Sequence, residues 1–315
     1  MTLSVAVLAL LVGQARCETN SYLQERMKTI VRQLDSATQL AENDYRYGID
    51  LKELPAARKE RKIYDRLMMD VQKRGELTWL SENSERPSRE DQRMVLALTA
   101  LIPELNAEDM FFIGTSPAVR HFVSVEGGIT GRVQTVMGND GPKRVMLIDS
   151  TAPTLQKWAL VIHEGTHYSH RLREESLDKF VATLEHGLGR SVDREHAIAF
   201  MRWIEEGYTH WLTLQMIQVL SAPLQSDRWD AARRAFHDAQ AQASPAQAAN
   251  FDKELLETYS AQVAFVRALS YCGGLPAIED FSVRDSPALM IQFLGGPENL
   301  AAIARLMREL KIAAA

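Results

Sequence analysis

The segment from residue 131 to residue 149 constrains the fold of this chain most strongly. Two strand-like runs, 132–137 and 143–149, flank Gly138-Asn-Asp-Gly141, and these four residues favour a tight reversal of the backbone. The pattern predicts a β-hairpin. Residues 145–148 (VMLI) are apolar on both faces, so we expect their strand to be buried. A further strand is predicted at 121–125, ahead of the hairpin.

Helical patterns surround this small sheet. Pro153 suits the start of a helix, with Ser150 or Thr151 as its cap, and we predict helices over 89–105, 154–173 and 194–220. The Ala/Gln-rich segment 239–249 is predicted to be a polar helix end or a loop. The expected fold is α+β and predominantly helical. We expect a helical region at 18–105, a core at 106–222 and a helical C-terminal region at 223–315 that completes the site cleft.

The N-terminus resembles a targeting segment. Residues 2–15 are uncharged and mostly apolar, and they are too few for the roughly 20 residues that span a bilayer. Gly13 and Ala15 are small residues suited to cleavage before Arg16. The pattern predicts a signal peptide within 1–17, a secreted or periplasmic mature chain, and no stable membrane insertion. The alternative is an N-terminal helix packed on the core.

Charge and cysteine content exclude some classes of protein. Lys and Arg number 36 against 41 Asp and Glu, a net charge of −5. This balance argues against an extensive basic surface but leaves a local basic patch open, and we expect no nucleic-acid partner. Cys17 and Cys272 cannot build a disulfide framework. If Cys17 pairs with nothing, Cys272 is expected to be a buried thiol.

One predicted helix carries the sequence His163-Glu164-Gly165-Thr166-His167, an HExxH motif. Histidines four residues apart project from one helix face and can bind the same zinc ion. Glu164 lies beside the ion without having to bind it, and can accept a proton from a zinc-bound water. A glycine in a helix interior lowers the stability of the helix, so we expect Gly165 to be needed for close packing or for access to the site.

The third ligand has to come from elsewhere in the fold. His170 lies about 10.5 Å along the helix from His163, so one ion cannot easily bind both. The longer metzincin pattern would need glycine at position 170 and histidine at position 173, which this sequence does not have, so that class is excluded. The segment 203–211 (WIEEGYTHW) offers Glu205 and Glu206, of which only one can point at the ion. Gly207 is interpreted as letting this second helix approach the histidine helix closely.

HEGTH followed by W-x-x-E-G-Y-T, with Glu206 39 residues after His167, resembles the gluzincin branch of the zincin metallopeptidases, and in particular peptidase MA-like proteins. The resemblance spans roughly residues 106–275. It implies a zincin-like core in which Glu206 is the third zinc ligand. Residues 259–273 are similar to the tyrosine-bearing helix of that family, which packs beside the site. His210 departs from the pattern, because many relatives carry an acid there.

The motif and the resemblance together predict a zinc metallopeptidase with one zinc ion per chain. Zinc-bound water would attack the peptide bond, with Glu164 as base and then acid. Tyr259 either donates to the oxyanion or packs in the core, and His210 either supports the site or lines its helix. The expected substrate is a peptide or protein, held along a sheet edge. Gly127, Gly128 and Gly131 either allow close backbone approach or belong to turns.

Two alternatives stay open at the level of sequence. The first is a zinc hydrolase of a non-peptide substrate, since the same attack by water serves several carbonyl compounds. The second is a non-catalytic helical interaction protein on a zincin scaffold, which the intact Glu164 argues against. The sequence leaves the oligomeric state open.

Overall fold

The computed structural model describes residues 69–71, 73–114, 131–138, 141–169, 174–284 and 286–314. The predicted signal peptide at 1–17, residues 18–68 of the predicted helical region and the predicted strand at 121–125 lie outside these ranges. Cys17, Gly127, Gly128 and His170 lie outside them as well.

The described part of the chain is mostly helical, with one small sheet, and this confirms the predicted α+β class. The strands are β1 (Met110–Ile113), β2 (Gly131–Gly138) and β3 (Gly141–Asp149). The helices are, in chain order, α1 (Glu76–Asn83), α2 (Arg89–Thr99), α3 (Thr154–Ser169), α4 (Glu174–Leu188), α5 (Arg194–Leu220), α6 (Asp230–Gln242), α7 (Pro245–Glu257), α8 (Ser260–Tyr271), α9 (Leu275–Val283), α10 (Ala288–Phe293) and α11 (Pro297–Ala314).

The chain divides into two compact units. We call the first the sheet unit; its described residues belong to Asp50–Ser169 and Leu212–Thr258. The second is the helical unit, whose described residues belong to His170–Trp211 and Tyr259–Ala315.

The sheet has the strand order β1-β3-β2. β2 and β3 pair antiparallel from Gly131 opposite Ile148 to Gly138 opposite Gly141, which confirms the predicted hairpin. β1 pairs with the other edge of β3 in parallel. No residue from 145 to 148 is more than 1% exposed, so β3 is buried as its sequence predicts.

The two faces of β3 pack on two different hydrophobic clusters. Met146 and Ile148 belong to a large cluster that contains side chains of α2 and α3. Val145 and Leu147 belong to a smaller cluster with Trp79 of α1. Because successive side chains of a strand point to opposite faces, a strand covered on both sides needs an uninterrupted apolar run.

Helix α2 begins as its sequence suggests but ends early. The Ser88 side chain accepts a hydrogen bond from the main chain of Asp91, and the Asp91 carboxylate accepts one from the main chain of Ser88, a complete capping box. The predicted end at residue 105 is wrong, because α2 ends at Thr99. Pro103 accounts for the difference, since a proline disfavours helical backbone in the residue before it. A short 3-10 turn, Ala107–Asp109, then leads into β1.

Helix α3 connects the sheet to the other helices of its unit. It starts directly after Pro153 and runs to Ser169, within the predicted 154–173. Trp158 packs edge-on against Phe236 of α6, with the ring centroids 5.3 Å apart. Lys157 forms a buried ion pair with Asp91 of α2, with Nζ and Oδ1 2.6 Å apart. The N-terminal half of α3 is thereby fixed to two neighbouring helices.

The Ala/Gln-rich segment at 239–249 is the junction of two helices. α6 ends at Gln242, and α7 starts at Pro245 with a capping box formed by Ser244 and Gln247. This confirms a helix end within the segment, although the following helix begins inside it as well.

The helical unit has an aromatic centre and an exposed cysteine. The rings of Phe180, Phe200 and Phe281 contact one another, with centroids 5.3–5.8 Å apart. Cys272 is exposed, so the expectation of a buried thiol is wrong. Cys272 is the C-cap that follows α8, and the next residue, Gly273, adopts a positive φ of 82° and turns the chain away.

Gly207 marks the close packing of α5 against α8. A Cβ at Gly207 would lie 2.5 Å from the carbonyl oxygen of Gln262 and 3.0 Å from Cγ2 of Val266, both on α8. The interpretation that Gly207 brings α5 close to the histidine helix is therefore wrong. The missing side chain makes room for the backbone of α8. A sequence pattern does not identify which helix will be the neighbour of such a glycine.

We expect Gly207→Ala to lower the free energy of unfolding by about 2 kcal/mol or more, because the new methyl group meets main-chain atoms that cannot rotate away. Urea denaturation followed by circular dichroism measures the change. Gly165→Ala is the matched control in another helix, where a Cβ meets only side-chain methyls of Leu105 and Ile102, at 3.3 and 3.4 Å. Equal stability losses in the two variants would contradict this account of Gly207.

Candidate metal centre

The two motif histidines lie on the last turns of α3. His163 is buried and His167 is half-buried. Their Nε2 atoms are 3.1 Å apart, and the ring planes are inclined at 80° with centroids 4.7 Å apart. The spacing of four residues thus brings two imidazole nitrogens together on one helix face, as the motif predicts.

This separation fits a shared zinc ion. Two nitrogens at 2.0–2.1 Å from a tetrahedral ion are about 3.3 Å from each other, close to the observed value. At this distance the two ring nitrogens share a hydrogen bond whose donor depends on the tautomer, and an ion bound by both would replace it. The pair is therefore arranged for a metal without rearrangement of the helix.

Glu206 on α5 provides the carboxylate of the group. One ligand atom from each of His163, His167 and Glu206 lies within 4.8 Å of the others. Two imidazoles and a carboxylate are a typical ligand set for catalytic zinc. Both Glu205 and Glu206 are half-buried, and it is Glu206 that joins the histidines. The described residues therefore contain a possible metal-binding triad.

Glu164 is buried beside the first strand of the hairpin. The residue is 8% exposed. A Cβ built at Gly131, the first residue of β2, would lie 3.1 Å from Cγ and 3.5 Å from Oε1 of Glu164. Gly131 thus allows a close backbone approach, one of the two roles that the sequence left open. The neighbouring Gly165 packs closely against Ile102 and Leu105, and this packing accounts for a glycine inside the helix.

Tyr259 and His210 form a pair within the helical unit. Their ring centroids are 5.7 Å apart, and His210 is buried. Tyr259 precedes α8 as its N-cap instead of lying within it, and it adopts φ 50° and ψ 24°. It is the one non-glycine residue with positive φ among the described residues. Such a conformation costs free energy and is held by its surroundings.

Tyr208 follows Glu206 and Gly207 on α5. Burial and, to a smaller extent, the negative charge of Glu279 raise the pKa of its phenol to about 12. Tyr208 is therefore neutral near pH 7 and is not suited to exchange protons there.

One side chain that contacts α3 from the sheet is not indicated by the sequence patterns. Arg144 on β3 donates hydrogen bonds to the main-chain carbonyls of His167 and Tyr168. A lone arginine in a strand pattern usually faces solvent, so nothing in the sequence points to this contact.

Comparisons with protein-family models, curated proteins and solved structures find no match for this chain. Among the described residues, no helix combines the length and apolar character needed to cross a bilayer.

Proposed function

We propose that this protein is a zinc-dependent metallopeptidase in which His163, His167 and Glu206 hold one zinc ion. The observation that carries the proposal is the grouping of these three side chains around the two Nε2 atoms, 3.1 Å apart. Three protein ligands are typical of catalytic zinc, because the fourth position stays open, whereas structural zinc sites are closed by four. The resemblance of HEGTH and W-x-x-E-G to gluzincins supports the same ligand set and a zincin-like core.

Glu164 serves as the proton carrier in this proposal. Zinc supplies Lewis acidity, which activates water near neutral pH. Glu164 lies next to a ligand in sequence and is not part of the ligand group. Its buried carboxylate would accept the proton of the attacking water and then deliver it to the departing amine. A structural metal site has no use for such a group, which favours an enzyme over a non-catalytic scaffold.

The remaining residues suggest how a substrate is oriented. β2 lies at an edge of the described sheet, and its first residue contacts Glu164. An extended peptide that pairs with such an edge would pass close to the proposed base. Tyr259, packed against His210, is the proposed donor to the oxyanion. The apolar run at 2–15 supports secretion or export to the periplasm as the setting for this activity.

Metal analysis and a peptide digest test the proposal together. The purified protein should contain about one zinc ion per chain and should cleave members of a broad peptide library. A strong chelator should stop cleavage, and added zinc should restore it. Protein that binds zinc but cleaves no peptide would favour the hydrolase of a non-peptide substrate. Protein that takes up no zinc would overturn the proposal.

We expect Gly131→Ala to lower kcat/KM by about tenfold, because a small misplacement of a catalytic group costs rate steeply. The added Cβ lies 3.0 Å from Cδ2 of Leu160 and 3.1 Å from Cγ of Glu164, so the base has to shift by a few tenths of an ångström. Zinc affinity should stay unchanged. Thr135→Ala, at an exposed position of the same strand, is the control. Unchanged kcat/KM in Gly131→Ala would show that this contact does not hold Glu164.

A further inference from the structure

Side chains contact three successive main-chain carbonyls near the last described residue of α3, Ser169. Here Ser169 Oγ donates to the carbonyl of Thr166 over 2.9 Å. Arg144 donates from Nη2 to the carbonyl of His167 over 2.8 Å and from Nη1 to that of Tyr168 over 3.0 Å. Three successive carbonyls are thus contacted by side chains, and one of them belongs to a proposed zinc ligand.

The position of the Arg144 side chain is fixed by its strand and by a neighbouring aromatic ring. It lies on β3, the central strand, opposite Thr135 of β2. Its guanidinium lies over the ring of Tyr168, with Cζ 5.5 Å from the ring centroid, a separation at which cation and aromatic face attract each other. Because the guanidinium is planar and has several N–H donors, it can donate to two successive carbonyls at once. A lysine ammonium cannot do so with the same geometry.

The ring under Arg144 is anchored in turn. Tyr168 Oη donates to Oδ2 of Asp109 over 2.7 Å, and Lys143 Nζ lies 2.5 Å from Oδ1 of the same carboxylate. These contacts hold the ring of Tyr168 in place beneath the guanidinium of Arg144.

We infer that Arg144 is a positioning residue for the metal centre, holding the main chain of His167 so that its imidazole meets the ion together with that of His163. The inference rests on the proposed function, since it requires that the two histidines bind zinc. His167 lies near the last described residue of α3, and the two hydrogen bonds from Arg144 restrain its main chain and that of Tyr168. Arg144 thereby ties the backbone of this ligand to the central strand of the described sheet.

Zinc titration against a competing chelator tests this role without measuring activity. Arg144→Met removes both hydrogen bonds, and its zinc affinity should fall by about 10–100-fold, the range typical of residues that orient metal ligands. Arg144→Lys can restore one donor and should recover part of the loss. Visible spectra of the cobalt-substituted proteins report ligand geometry, and the bands of Arg144→Met should shift from those of the parent.

Arg233→Met is the matched control. Arg233 is a buried arginine that donates from Nε to the carbonyl of Val219, near the end of α5, and pairs with Asp227. Its loss should lower the unfolding temperature but leave the zinc affinity of the folded protein unchanged.

The outcomes separate the inference from the proposed function. A parent protein that binds no zinc overturns the proposed function, and the inference falls with it. If the parent binds zinc and Arg144→Met binds it within about threefold of the parental affinity, the inference alone is overturned. An equal loss of affinity in Arg233→Met would show that Arg144 acts only through general stability. If Arg144→Met fails to fold, the zinc affinity of Arg144→Lys tests the inference instead. Parental zinc affinity and an unshifted cobalt spectrum in Arg144→Lys would contradict a positioning role for Arg144.

Discussion

Glu164→Gln should retain about one zinc ion per chain and lose at least about 10²–10⁴-fold in the rate of peptide hydrolysis, the usual contribution of a positioned acid–base group. The amide keeps the shape of the carboxylate and its contact with Gly131, but it cannot accept a proton from water. Glu164 is not among the grouped ligand atoms, so the metal should stay. Loss of rate with retention of zinc is the expected signature of a base and not of a ligand.

The measurement combines kinetics on a peptide that the parent cleaves with metal analysis of the same preparations. Glu205→Gln is the control, because it removes a half-buried carboxylate that does not join the histidines. Near-parental turnover of Glu164→Gln would falsify the proposed mechanism even if the zinc site is real.

Glu206→Gln should weaken zinc binding by more than the roughly 10–100-fold typical of residues that only orient ligands. A carboxylate in the ligand group offers a charged oxygen to the ion, and a neutral amide is a much poorer ligand. Glu205 lies about 100° around α5 from Glu206, so Glu205→Gln should stay near the parental affinity. His163→Ala and His167→Ala should lose the metal for the same reason as Glu206→Gln.

Competition with a chelator of known affinity gives the comparison directly. The two glutamine variants differ by one position on the same helix, so global stability and net charge change in parallel. If Glu205→Gln releases zinc while Glu206→Gln holds it at parental affinity, the ligand register taken from the gluzincin resemblance is off by one residue.

Local patterns predicted the elements that depend on neighbouring residues. The hairpin follows from Gly138 to Gly141 and the flanking strand runs, and the pairing of β2 with β3 confirms it. The meeting of two imidazoles follows from a spacing of four residues on a helix, which the distance between the Nε2 atoms bears out. In each case the determinant lies within a few residues of its effect, so a single sequence contains it.

Contacts between distant segments could not be predicted in the same way. Asp91 and Lys157 look like ordinary charged helix positions, and only the packing of α2 on α3 makes them a buried pair. The neighbour of Gly207 was assigned to the wrong helix because a glycine indicates close approach without naming the partner. Cys272 was expected inside on the general preference of its type, but its place at a helix end exposes it.

The outer edge of the described sheet carries a feature with a bearing on self-association. Glu76, the first residue of α1, accepts a hydrogen bond from the main-chain N–H of Met137 over 2.6 Å, and β2 is an edge strand. The carboxylate occupies a donor that an added strand would need. A strand from another molecule could extend along β2 as far as Met137 only by displacing Glu76 and covering its charge, which is unfavourable. We therefore expect the acidic side chain of Glu76 to disfavour edge-to-edge pairing at this end of the described sheet.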